Sequence, residues 1–82
     1  MIYFINDTIY HLEYGKLHRN NGPALINKER IEYYQNGLLH NESGPARLNL
    51  VDRSVEFWHN GECICDKTII IDDLVWQKYI SY

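Results

Sequence analysis

No run of about 18 apolar residues occurs in this chain, and no cationic segment followed by an apolar stretch opens it. A membrane span and a secretion signal are therefore not expected. Basic residues are also in short supply: eight against eleven acidic ones, a net charge of −3. Duplex nucleic acid calls for a basic stripe, and none is visible, so nucleic-acid binding is disfavoured. Cysteines number two, as Cys63-x-Cys65. On a strand such a pair points to one face and bridges itself poorly, which fits a reducing cytoplasm. One Cys-x-Cys with His59 nearby falls short of the four ligands that tetrahedral zinc needs, so no metal or cofactor is expected. Both cysteines read instead as small buried hydrophobes.

Length is the next shortage. A chain of 82 residues is one domain with a thin core, poorly suited to enclosing a deep active site. What the chain does have is 45 % hydrophobic content, seven tyrosines and two tryptophans. Amphipathic rings suit a half-buried sheet and also an interface. The acidic excess lies in the last third, through Asp52, Glu56, Glu62, Asp66, Asp72 and Asp73 against Arg53, Lys67 and Lys78.

The chain repeats itself. Ile9–Asn27 and Ile31–Asn49 are offset by 22 and agree at eight of nineteen positions: the Ile, the first Gly, the Leu and His after it, Gly-Pro-Ala, and the last Asn. A third copy begins at Val55 and then departs, with neither the His nor the Gly-Pro-Ala. Such a period marks stacked supersecondary units. Asn36-Gly37 and Asn60-Gly61 are two-residue hairpin turns, with Tyr14-Gly15 as a weaker equivalent. Aromatic and β-branched runs precede each turn, and short strands follow at Lys16–His18, Leu38–His40 and Glu62–Cys65. The prolines of the Gly-Pro pairs break the ladder, and strands resume at Leu25–Asn27 and Arg47–Leu50.

The resulting expectation is a mainly β fold: an antiparallel meander of tandem hairpin repeats, about two and a half units, with a C-terminal capping helix. The boundaries are an opening strand in 1–8, units 9–30, 31–54 and 55–67, and a strand and helix in 68–82. Ile2–Ile5 pairs through an Asn6-Asp7 turn, and Thr68–Ile71 is β-branched. Asp72 N-caps a helix over Asp73–Ile80 whose apolar stripe is Leu74, Val75 and Tyr79, with Trp76 beside it, and which covers the last edge strand.

The unit resembles the MORN-type repeat (membrane occupation and recognition nexus). The likeness rests on aromatic-x-x-Asn-Gly, a His three residues on and a closing glycine: here Tyr33, Asn36, Gly37, His40 and Gly44, with Tyr34 beside them. It covers residues 9–65. Gly-Pro-Ala replaces the usual Gly-x-Gly, and the Tyr-x-Gly opening is missing. The Leu17-His18-Arg19-x-x-Gly22-Pro23-Ala24 form looks like divergent repeats of small proteins from bacteriophages and large DNA viruses. That resemblance implies a viral accessory protein in the host cytoplasm and no defined chemistry.

His18 and His40, as repeat equivalents, are expected to satisfy backbone groups in their own turns. Ser43, Ser54 and Ser81 lack a nucleophile-elbow context, and Glu13, Glu32 and Glu56 read as a solvated face, so the chain is not expected to be an enzyme. The adjacent rings Tyr33 and Tyr34, and Phe57 and Trp58, put one member of each pair on the face opposite the core, where it is a binding candidate. The leading expectation is a non-catalytic accessory protein that binds and inhibits a host protein, such as a defence factor. Glu56, Glu62, Asp72 and Asp73 would mimic nucleic acid toward a basic partner. Alternatives are a sponge for a signalling nucleotide, using aromatic stacking with Arg19, Arg30 or Arg47, and a homo-oligomeric assembly module built on sheet edges.

Overall fold

The computed structural model describes residues 1–64 and 67–82. Cys65 and Asp66 lie outside the described residues, and with them half of the Cys-x-Cys pair and one acidic position. The strands are β1 (Ile2–Ile5), β2 (Thr8–Glu13), β3 (Lys16–Leu17), β4 (Leu25–Ile26), β5 (Arg30–Glu32), β6 (Tyr34–Gln35), β7 (Leu38–Leu39), β8 (Arg47–Asn49), β9 (Ser54–Glu56), β10 (Trp58–His59), β11 (Glu62–Cys63) and β12 (Thr68–Ile69). One helix, α1 (Asp73–Ile80), follows. The fold is mainly β, a hairpin meander ending in a helix, with several strands a residue or two shorter than the sequence suggests.

The strands form one main sheet and a set of hairpins, because each unit opens on a strand that changes partners along its length. The main sheet runs β1-β2-β4-β5-β8-β9-β12, while β2–β3, β6–β7 and β10–β11 are hairpins. At His11 the backbone N–H still serves the main sheet, donating to Ala24 O at 2.8 Å, whereas its C=O accepts from His18 N in the hairpin at 3.0 Å. Tyr33 does the same with Ala46 (2.7 Å) and His40 (3.0 Å). These pivots leave Ala24 and Ala46 fully buried between strands, each N–H donating onward to Glu32 O or Glu56 O at 2.9 Å. A larger side chain there would overpack, which accounts for the recurring alanine.

Each hairpin leans on the next. Gly37 N–H donates to Leu17 O at 2.8 Å, and Gly61 N–H to Leu39 O at 2.9 Å. The turns need left-handed residues, and Asn36-Gly37 (φ 51 and 83) and Asn60-Gly61 (φ 48 and 84) supply them. The repeat histidines complete this contact, and here the expectation is corrected. His18 Nδ1 accepts from Asn36 N–H and His40 Nδ1 from Asn60 N–H, both at 3.0 Å. Each histidine thus serves the following unit's turn and not its own. The third copy departs from the repeat at the same point: Ile64 stands in place of the histidine, and among the described residues no further hairpin follows.

Across the main sheet the register aligns Phe4, Ile9, Ile26, Ile31, Leu48, Val55 and Thr68 on one face. Ile31, Leu48 and Val55 are buried together under Trp76 of α1, with Tyr33, Phe57, Tyr79 and Ile80 packed around them. The Asp72 carboxylate caps the helix by accepting from Leu74 N–H at 2.9 Å and Val75 N–H at 3.3 Å. The expected stripe is rotated: Trp76, 5 % exposed, faces the core, and Leu74, 84 % exposed, faces solvent. A shift of one residue, about 100° around the axis, is easily missed in an eight-residue helix with apolar residues on most sides. The helix lies against the sheet face through Trp76, and β12, paired with β9, takes the edge.

Candidate functional site

Two loops of the repeat, residues 19–23 and 41–45, lead from a hairpin back to the main sheet in the same way. Arg19 Nη1 donates to Pro23 O at 3.2 Å, and Asn41 Nδ2 donates to Pro45 O at 2.9 Å. Asn41 Oδ1 also accepts from Ser43 N–H and Ser43 Oγ, both at 3.2 Å. The Asn41–Ser43 segment is therefore held in place, and it lines two adjoining clefts. The larger, about 670 Å³, has walls of Tyr33, Phe57, Tyr79 and Tyr82 with Lys78 at the helix end. The second, about 580 Å³, runs from Tyr33 and Tyr82 to Arg19, Gln35 and His40. Burial, and then the neighbouring Tyr82, raise the Tyr33 hydroxyl pKa above its ordinary value, so this ring enters the cleft as a neutral phenol.

The aromatic pairs divide between the two faces, as alternation requires. Tyr33 and Phe57 join the core side and the cleft. Tyr34 and Trp58 stand opposite, and both are half-buried. Each donates back to the carboxylate two residues earlier: Tyr34 Oη to Glu32 Oε1 and Trp58 Nε1 to Glu56 Oε1, both at 2.9 Å. Arg47 sits between the carboxylates, its Nε donating to Glu32 Oε2 at 2.8 Å and its Nη1 to Glu56 Oε1 at 3.4 Å. Burial lowers the Arg47 pKa and Glu32 raises it, and the carboxylate prevails. Tyr34 is raised by burial and then by the Glu32 charge. Glu32 is 2 % exposed, which corrects the expected solvated carboxylate face. The chain covers this carboxylate because it also supplies the donors that satisfy it.

The acidic candidates do not gather. Glu56 is on β9 in the Arg47 network, Glu62 is exposed on a hairpin, Asp72 caps the helix, and Asp73 pairs with Arg53. Cys63 is exposed, contrary to the buried position expected for it. Arg19, besides holding its loop, approaches His11 Nε2 at 3.3 Å. Arg30 lies 3.7 Å from Glu32, so two of the three arginines proposed for nucleotide contacts face Glu32.

Tyr79 and Tyr82, three apart at the helix end, belong to the cleft but not to the repeat that supplies its other rings. Their spacing was the available signal. Among the described residues no group of three or more His, Cys, Asp and Glu could hold a metal, and no helix is long and apolar enough to cross a membrane. Ser43 Oγ donates to Asn41, while His40 Nδ1 is taken by the Asn60 amide and its Nε2 faces Glu42 Oε1 at 3.5 Å. The arrangement offers rings, amides, Lys78, Arg19 and the Glu42 carboxylate for binding. No family model matches the chain, and neither the curated proteins nor the solved structures give a match.

Proposed function

We propose that this chain is a non-catalytic interaction module that receives a segment of another protein in the cleft of Tyr33, Phe57, Tyr79 and Tyr82. One observation carries this reading: two repeat units and the helix end place four rings around one opening whose loop is already ordered by Asn41. Pre-ordered aromatic walls lower the entropy lost on binding and are typical of interface centres. Lys78 and Arg19 are balanced at the clefts by Glu42, which lines both, so the rings carry the fit more than a net charge does. The resemblance to repeats of bacteriophages and large DNA viruses supports a host protein as the partner and inhibition as the outcome. Nucleic-acid mimicry loses support, since Glu56, Asp72 and Asp73 are engaged within the fold.

A photo-crosslinking residue placed at Tyr82 tests this in host extract, with the same residue at Tyr14, fully exposed on a hairpin tip, as control. The expected result is one protein adduct at position 82, absent at 14, and lost when Tyr79→Ala is added. Equal labelling at both positions, or adducts that survive Tyr79→Ala, would refute the assignment to the cleft.

A further inference from the structure

The strand β1 reads Ile-Tyr-Phe-Ile, and it is an edge with one neighbour. Edges in natural sheets are usually protected by Lys, Pro or a bulge, and β1 has none of these. Its side chains are all exposed, Ile2 at 66 % and Phe4 at 70 %. The direction of its main-chain groups follows from the ladder. Met1 and Leu12 exchange hydrogen bonds, the terminal amine to Leu12 O at 2.8 Å and Leu12 N–H to Met1 O at 2.7 Å. Antiparallel pairs alternate between hydrogen-bonded and non-hydrogen-bonded. Tyr3–Tyr10 and Ile5–Thr8 are then bonded pairs, while Ile2 and Phe4, opposite His11 and Ile9, turn their N–H and C=O outward to the open edge.

We propose that β1 pairs antiparallel with β1 of a second copy of this chain, with Tyr3 opposite Tyr3 on the two-fold axis. Self-pairing of a strand about an axis normal to the sheet keeps each face on its own side and sets some residue opposite itself. Centred on Tyr3, it places Ile2 against Phe4 of the second copy and Phe4 against Ile2 of it. The outward groups of both residues then meet in on the order of four main-chain hydrogen bonds. The side chains agree with the backbone. Ile2 and Phe4 share the face of Ile9, Ile26 and Ile31, so the paired strands carry the apolar row of one copy into that of the other. A strand centred elsewhere on β1 aligns fewer outward groups.

Size sets the strength. Met1 to Ile5 leave roughly 600 Å² in water per copy, against about 800 Å² per partner in a standard interface. The product is a dimer that dissociates on dilution, and it is independent of the cleft proposed above.

Sedimentation equilibrium from about 1 to about 500 µM tests the association, since a dimer of this kind follows mass action. The wild-type mass should rise from one chain to two. Phe4→Pro removes an outward N–H and leaves the β1–β2 bonds intact, so this variant should remain one chain at every concentration. Phe4→Lys, which keeps the backbone, should do the same. The register is read in a Cys63→Ser/Cys65→Ser background. Tyr3→Cys faces itself in a non-hydrogen-bonded pair, with Cα atoms about 4.5 Å apart, inside the range that disulfides span. It should cross-link under mild oxidation, while Ile2→Cys should not. A wild type that stays one chain throughout, variants that dimerise like it, or Ile2→Cys cross-linking as well as Tyr3→Cys would each overturn the proposal.

Discussion

Replacing Arg47 by leucine should cost far more than an exposed arginine is worth, and replacing Glu32 as well should return most of the loss. The Glu32 side chain is 3 % exposed and depends on Arg47 Nε at 2.8 Å and Tyr34 Oη at 2.9 Å. Removing one partner of a buried pair costs about 3–5 kcal/mol, because a charge is left without compensation. Arg47 itself is 39 % exposed and Arg30 remains 3.7 Å away, so the loss falls below that range, at about 2–3 kcal/mol. For a domain this small that is a fall in Tm on the order of 10–20 °C. The first unit shows how the same positions pack without charge: Tyr10 and Leu25 stand where Glu32 and Arg47 stand in the second, and Leu25 is buried. Glu32→Leu/Arg47→Leu should therefore lie within about 1 kcal/mol of wild type, as replaced ion pairs often do. Urea denaturation of the wild type, both single variants and the double gives the coupling energy directly. A double variant that loses the sum of the two singles would refute the reasoning, since the residues would then act separately.

Removing the histidine contact by His40→Ala should cost about 1 kcal/mol, and hydrogen exchange should accelerate at the Asn60 amide but not at Asn36, which His18 holds. Trp76→Ala should cost about 3–5 kcal/mol, while Leu74→Ala should stay within about 0.5 kcal/mol, a difference readable in the same urea curves. Burial and then the nearby Arg19 lower the His11 pKa below the ordinary 6.5. Its contribution is thus complete above pH 6.5 and is lost as pH falls through the folded-state value. Thermal melts between pH 7.5 and 5 should show that slope, and His11→Phe, the residue at the equivalent position 57, should flatten it.

Periodic features of the fold were legible because each has a local cause. The Asn-Gly turns, the opening strand Ile2–Ile5 and the helix bounds Asp73–Ile80 all rest on residue types with one strong conformational preference. What failed depends on neighbours distant in sequence. Glu32 looks solvated until Arg47 and Tyr34 are placed around it, and the phase of α1 is set by which side of Trp76 meets Leu48 and Val55. Repeat alignment shows that a histidine recurs and not whom it touches, so the turn that His18 and His40 each serve is legible only in the fold. The cleft was half visible: Tyr33 and Phe57 came from the repeat, whereas Tyr79 and Tyr82 come from outside it.

The forward reach of His18 and His40 gives the array a polarity along the chain. Each histidine accepts from the turn of the following unit, so its contact exists only where that next turn is in place. Each of the first two units is thus latched by its successor, and Trp76 closes the apolar cluster from beyond the last one. The units are unequal for that reason: loosening a later turn frees the histidine before it, whereas loosening an earlier one leaves the later latch intact.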